Sequence, residues 1–444
     1  MFTLQLLKSG NIKPEDLGPE KRFKIAEGLT EFPQELLALS EHIEILDMSG
    51  NNLTALPDNF SMFKHLKILF LSDNQFNHIP SVIADCPQLE MIGFKNNQIK
   101  EISETALPLK TRWLILTDNK IEKLPDSMGQ LTRLKKLALA GNQLTALPET
   151  MSQCHELELI RLSANKFERM PDWLFQLPKL AWLAFSGNPC TAYQAGLNTT
   201  IPEVELEHIQ LAEQIGVGAS GFIHKGHWLK GLHEFDVGAD IAIKLFKKGN
   251  VTSDGYPQDE LDACLAAGRH ENLINPLAYI PNKQQLGLVM ELIPPTYTNL
   301  GMPPDLNTCT RDTFNEDAAF NVDDIVSILK QMVSTITHLH KQGVSHGDLY
   351  AHNILINSKN HILFGDFGAA THLANLTDKQ TQWVEKIEVR ALGNLIEDLY
   401  LQSKGVSIES TEVKLLKGLI LQCQDINLTN RPTLTMLMHA LKAV

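Results

Sequence analysis

The chain has 444 residues, 43% of them hydrophobic and 20% charged, an ordinary globular mix with apolar material for two or more cores. Its formal net charge of −13 excludes nucleic acid and anionic membrane as main partners, because both select a basic surface. No run of 18 apolar residues occurs, the N-terminus lacks a basic n-region, and the six cysteines lie far apart without a CxxC pair, so a cytoplasmic protein with reduced thiols is expected.

From about residue 42 to 188 the sequence repeats itself. IEILDMSGNNLTALP at 43–57 recurs as LKILFLSDNQFNHIP at 66–80, and further copies follow with Asn at 51, 74, 97, 119, 142, 165 and 188. Every step is 23 residues except the 22 from Asn97 to Asn119. A period of this length marks stacked units, none of which buries its apolar face alone. Leu69 and Leu71 are expected to point inward from a short strand, with the Asn satisfying backbone groups in a buried turn. Residues 22–33 read as a degenerate first coil that caps the array together with 1–21. The positions flanking the inward pair place Ile68, Phe70, Met91, Trp113, Ile115 and Trp182 on a concave face that should be exposed. Two Trp in such an apolar stripe point to a partner protein, or to the second half of this chain packing over it.

Residues 191–205 are polar, with Gly and Pro, and read as a linker; strands and then helices follow. QIGVGASGFIHKG at 214–226 alternates after its glycines, so a Gly-rich hairpin over phosphates fits better than a strand-to-helix turn. IAIK at 241–244 is a strand ending in Lys244, and the helix of QDELDACLAAG offers Glu260 or Asp259 as its acidic partner. Glu260 is preferred because it leads into the apolar helical face. LGLVMELIPP at 286–295 reads as a buried strand running into an extended segment and resembles a kinase hinge, which implies Met290 beside the adenine pocket and backbone groups of Glu291 to Ile293 on the base. VSHGDLYAHNILI and ILFGDFGAAT then supply Asp348, Asn353 and Asp366, the two Asp 18 residues apart as a hairpin would require. His346 and His352 raise the question of zinc, but structural histidines in the loop are the simpler reading.

The repeats resemble leucine-rich repeats of the LxxLxLxxNxL pattern, and residues 206–444 resemble a eukaryotic-type protein kinase domain, motif after motif in the same order. The resemblance implies a multidomain chain: an N-terminal α/β leucine-rich repeat solenoid followed by a two-lobed α+β protein kinase fold. Its parts would be a cap and degenerate repeat at 1–40, seven repeats at 41–190, the linker at 191–205 and the kinase domain at 206–444. It implies ATP and Mg2+ as cofactors. Gly216, Val217, Gly218, Gly221, Ile223, Ala242, Lys244, Met290, Glu291 and Ile293 would bind the nucleotide, with Lys244 paired to Glu260. Asp348 would accept the substrate proton, and Asn353 and Asp366 would hold magnesium. Transfer to a protein Ser or Thr, in preference to Tyr, is expected, with the repeats recruiting a substrate or regulator. Arg431 in NRPTLTML matches the late RP motif of such domains. Departures also stand out. Gly347 replaces the usual Arg, Tyr350 the Lys common in Ser/Thr kinases, Glu388 an Asp, and no APE follows DFG. They keep two alternatives in view, a nucleotide-binding scaffold and a small-molecule phosphotransferase.

Overall fold

A computed structural model describes residues 2–192, 200–229, 236–249, 251–252, 254–281, 285–404 and 410–442. The middle of the expected linker, 193–199, lies outside the described residues. The chain divides into two compact units, Met1–Leu177 and Pro178–Val444. The repeat pattern runs on past that division, so the coil carrying Asn188 belongs to the second unit by its packing.

The first unit opens with α1 (Leu4–Lys8), capped by the Thr3 hydroxyl, which accepts from the Leu6 amide. Seven three-residue strands follow, one per coil: β1 (Arg22–Lys24), β2 (Ile45–Asp47), β3 (Ile68–Phe70), β4 (Met91–Gly93), β5 (Trp113–Ile115), β6 (Lys136–Ala138) and β7 (Leu159–Arg161). They pair in parallel in chain order, with Ile45, Ile68, Met91 and Trp113 in one register row. A short 3-10 turn such as Asp58–Met62 returns most coils, and α2 (Asp172–Phe175) returns the last of this unit. Leu69, Leu71 and their counterparts are fully buried, as the pattern requires.

The Asn of each coil stitches it to the one before. Asn74 accepts from the Leu53 amide at 2.9 Å through Oδ1 and donates through Nδ2 to the carbonyls of Met48 and Leu71 at 3.0 and 3.1 Å. Asn97, Asn119, Asn142 and Asn165 repeat this arrangement. Only a short amide reaches donors and acceptors on two coils at once, which is why the residue recurs.

The concave stripe differs from expectation. Ile68 and Met91 are buried, at 7% and 1% exposure, and Phe70, Trp113 and Ile115 are half-buried. Neighbouring coils stand one strand spacing apart, so their side chains cover each other. The Phe70 ring lies over Gly93, where a Cβ would come within 2.9 Å of it. The Lys136 ammonium sits 4.3 Å from the centre of the Trp113 ring.

The second unit begins with β8 (Trp182–Ala184). An antiparallel sheet in the order β12–β13–β11–β10–β9 comes next, built from β9 (Ile209–Val217), β10 (Gly221–Trp228), β11 (Asp240–Phe246), β12 (Pro276–Ile280) and β13 (Gly287–Glu291). Helix α3 (Pro257–Ala267) lies in sequence between β11 and β12. Trp228, Ile241, Ile243, Ile280 and Val289 share the core on one face of this sheet. Strand periodicity therefore sends Ala242, Lys244, Leu288 and Met290 to the other face.

The rest is mainly helical. After β14 (Thr298–Asn299), helix α4 (Val322–Lys341) is started by a capping box between Asn321 and Asp324. β15 (Val344–Ser345), β16 (Ile354–Ile356), β17 (Ile362–Phe364) and β18 (Thr371–His372) are short. α5 (Asp378–Leu401), α6 (Thr411–Cys423) and α7 (Leu434–Lys442) complete the unit. In the β16–β17 hairpin Ile354 faces Phe364, so the residues just before β16 and just after β17 emerge at the same end.

Candidate active site

β9 and β10 form the Gly-rich hairpin foreseen from the sequence, its tip closed by the Gly218 amide bonding to Gly221 O at 2.9 Å. Gly221 is required there, since a Cβ would lie 2.7 Å from the Leu245 carbonyl on β11. The Lys247 ammonium holds the tip through the Gly218 carbonyl at 2.9 Å. Beneath the hairpin is a cavity of about 250 Å³. Ile223, Ala242, Leu288, Met290 and Ile293 form its apolar wall, and Lys244, Glu260 and Asp366 its polar end. An apolar cavity with charge at one end suits a nucleotide base and its phosphates.

Lys244 is ion-paired with Glu260, and Asp259 takes no part in that pair. Burial is the largest influence on the Glu260 carboxyl and raises its pKa. The Asp366 charge adds to the rise, and Lys244 opposes it. Burial lifts Asp259 to about 6.

Loop 346–353 carries the other polar groups. Asn353 donates Nδ2 to the Asp348 carboxylate at 2.9 Å and to the Asp348 carbonyl at 3.0 Å. Its Nδ2 is thereby committed, leaving Oδ1 as the atom able to ligate a hard cation, and Asp366 brings a carboxylate after β17. Oxygen donors of this kind fit Mg2+. Glu388 on α5 accepts from the amides of His346 and Gly347 at 2.7 and 2.9 Å and is paired with His340 on α4. Burial acts against the charged form of both partners. Their mutual hydrogen bond and attraction nonetheless hold the Glu388 pKa below its usual value and the His340 pKa above. His346 is fully buried, bonded through Nε2 to Gly365 O and stacked on Phe364, and burial pulls its pKa down, so it is a neutral structural histidine. His352 bonds through Nδ1 to buried Asp312 at 2.7 Å; burial works against its charge, but Asp312 raises its pKa overall.

Gly347 has a steric reason. Its φ is +71°, and a Cβ would lie 2.6 Å from Leu183 O and 2.7 Å from Ala369 O. Trp182 is likewise not on an exposed concave face. It is 2% exposed, stacked on Tyr350 and bonded to Leu349 O. Arg431 is buried, donating to the carbonyls of Asp425, Lys386 and Pro178, and burial drops its pKa to about 9.

Residues 209–388 match the family model of the protein kinase domain, and 41–104, 110–167 and 132–190 match that of the leucine rich repeat. The chain joins leucine-rich repeats to a protein kinase domain. The chain is 28% identical over 191 residues to serine/threonine-protein kinase SKM1 of Saccharomyces cerevisiae, spanning 40% of this chain and 28% of that protein. It is 25% identical over 206 residues to serine/threonine-protein kinase CLA4 of Candida albicans, spanning 41% and 19%. It is also 25% identical over 173 residues to tyrosine-protein kinase Src64B of Drosophila melanogaster, spanning 39% and 28%. The matches cover less than a third of the length of each of these relatives.

Of the positions singled out in the kinase domain, Ile223, Ala242, Lys244, Glu260, Met290, Glu291, Ile293 and Asp366 line the cavity. Gly216, Val217, Gly218 and Gly221 form the hairpin, and Asp348 and Asn353 lie together in the loop. Ile215, Cys264, Ile274, Leu288 and Phe367 also line the cavity and were not foreseen. Two of them carried a signal: Leu288 is two residues from Met290 on a strand, and Cys264 four from Glu260 on a helix. All six cysteines are free; burial lifts Cys86, Cys154 and Cys190 to about 11 and Cys264 and Cys423 to about 12. Among the described residues, no helix is long and apolar enough to cross a membrane.

Proposed function

We propose that the chain is an ATP-dependent protein kinase transferring the γ-phosphate to a protein hydroxyl, of serine or threonine in preference to tyrosine. One observation carries the reading: Lys244, Glu260 and Asp366 converge at the polar end of an apolar cavity. The base would lie against Ala242, Leu288 and Met290 and bond to backbone groups of Glu291 to Ile293. Lys244, held by Glu260, would bind the α- and β-phosphates. Asn353 and Asp366 would hold Mg2+, which supplies neutralising charge to the phosphates. Asp348 orients the acceptor hydroxyl and takes its proton as the new oxygen–phosphorus bond forms and ADP leaves. The repeats recruit the protein substrate or a regulator, and the protein acts in the cytoplasm.

A second reading has one observation in its favour. Only residues 369–377 separate Gly368 from α5, which is little chain with which to cradle a peptide and leaves room for a small-molecule acceptor. Full-length protein incubated with magnesium, labelled ATP and a mixture of proteins tests both. Label should enter protein, and Asp348→Asn should lose it by orders of magnitude while ATP still raises the melting temperature. Label found only in small molecules establishes the second reading. ATP binding without transfer leaves a nucleotide-binding scaffold.

A further inference from the structure

We infer that the final repeat coil, residues 178–188, is part of the catalytic apparatus of the kinase domain, and that Trp182 is a positioning residue for Asp348. The inference rests on the kinase reading above. The Trp182 indole N–H donates to the Leu349 carbonyl at 2.9 Å, across 167 positions of sequence. Its ring lies flat on Tyr350, with centroids 4.5 Å apart and planes 4° from parallel. Tyr350 lies 5.0 Å from the His352 ring, which Asp312 fixes through Nδ1. Three rings thus stand in one row, the first two stacked and the third tilted by 34° from Tyr350, anchored at one end in a repeat strand and at the other by a buried carboxylate. Leu349 and Tyr350 directly follow Asp348, and Asn353 holds the Asp348 carboxylate from farther along the loop. A loop fixed at so many points presents its base in one orientation, which is where positioning contributes to rate.

The coil is itself fastened. Arg431 donates to Pro178 O at 2.6 Å and Arg390 to Lys179 O at 3.1 Å. The Phe185 amide donates to the Thr371 hydroxyl at 3.2 Å, so that buried hydroxyl is engaged and not available for modification. The Leu183 carbonyl fills the space beside Gly347 that a side chain would need. The ordering of the loop is therefore supplied by a repeat.

The test compares full-length Trp182→Ala, Trp182→Phe and Tyr350→Leu with the wild type by kcat, KM for ATP and amide exchange over 346–353. Trp182→Ala should lower kcat about tenfold or more, leave KM for ATP within about twofold, and speed exchange in the loop. Trp182→Phe keeps a ring on Tyr350 and should recover most of kcat, which general loss of stability would not explain. Unchanged kcat and unchanged loop exchange in Trp182→Ala overturn the inference. Should that variant fail to fold, Tyr350→Leu decides: a fall in kcat at constant KM supports positioning, and wild-type kcat overturns it. A wild type that transfers no phosphate refutes the kinase reading instead, and slow exchange retained in the variants then refutes positioning separately.

Discussion

Glu388 is the sharpest place to perturb the kinase domain. It is fully buried and accepts two amides of the loop that carries Asp348, while pairing with His340. Glu388→Ala strands both amides, at about 1–3 kcal/mol each, so the domain should lose about 2–6 kcal/mol. His340 limits further cost by releasing its proton. Glu388→Gln keeps a carbonyl oxygen for both amides and offers an NH2 to neutral His340. It exchanges charge-assisted bonds for neutral ones, at about 1–2 kcal/mol. The pH dependence separates the variants further. The Glu388 pKa lies below its ordinary 4.5, so its contribution is complete above that value and is lost as pH falls through the lowered pKa. The His340 pKa lies above 6.5, so its contribution is complete below 6.5 and is lost as pH rises through the raised value. Urea unfolding of the kinase domain at several pH values should show Ala well below Gln, and a flatter profile for Gln than for wild type. Equal losses in Ala and Gln, or a Gln profile as curved as the wild type's, would refute the bridging role.

Three further expectations follow from the same contacts. Asn119→Ala removes an acceptor for the Ile99 amide and donors to the Phe94 and Leu116 carbonyls, and should destabilise the repeat unit by about 2–4 kcal/mol in chemical denaturation; a loss under about 0.5 kcal/mol would show the ladder to be dispensable. Because Asp312 raises the His352 pKa above 6.5, the charged pair adds stability that is complete below 6.5 and disappears as pH climbs through the raised value. His352→Gln should remove that part of the alkaline decline, and an unchanged slope of stability against pH would contradict it. Lys244→Met should cut phosphate transfer by about two orders of magnitude or more while the domain stays folded, with a lower melting temperature because Glu260 is left buried without its cation, and full activity would show that the Lys244–Glu260 pair is not used.

The repeats were legible because a 23-residue step and a fixed Asn leave few ways to fold. What the pattern could not show was cover. It says to which side Phe70 and Trp113 point, but not that Phe70 lies over Gly93 or that Lys136 caps the Trp113 ring. The same holds in the second unit. Lys244, Glu260 and Asp366 were named from short motifs whose chemistry requires those residue types. Ile274 sits outside any periodic element and gave no signal, although it lines the cavity. Gly347 looked like a lost side chain when read locally. It became intelligible with its positive φ and the Leu183 and Ala369 carbonyls in place, contacts that no local spacing encodes.

The end of the repeat pattern near Cys190 and the division of packing after Leu177 do not coincide, and this bears on how such a protein can change over evolutionary time. A solenoid can gain or lose whole coils by unequal exchange, because each copy is nearly interchangeable with its neighbour. That freedom holds for copies before Pro178. The copy carrying Trp182 answers to an added constraint, since its ring lies on Tyr350 and its Leu183 carbonyl beside Gly347. A recombination point placed where the periodicity stops would pass on intact motifs on both sides. One placed between Leu177 and Pro178 would also pass on the coil that the kinase domain was built around.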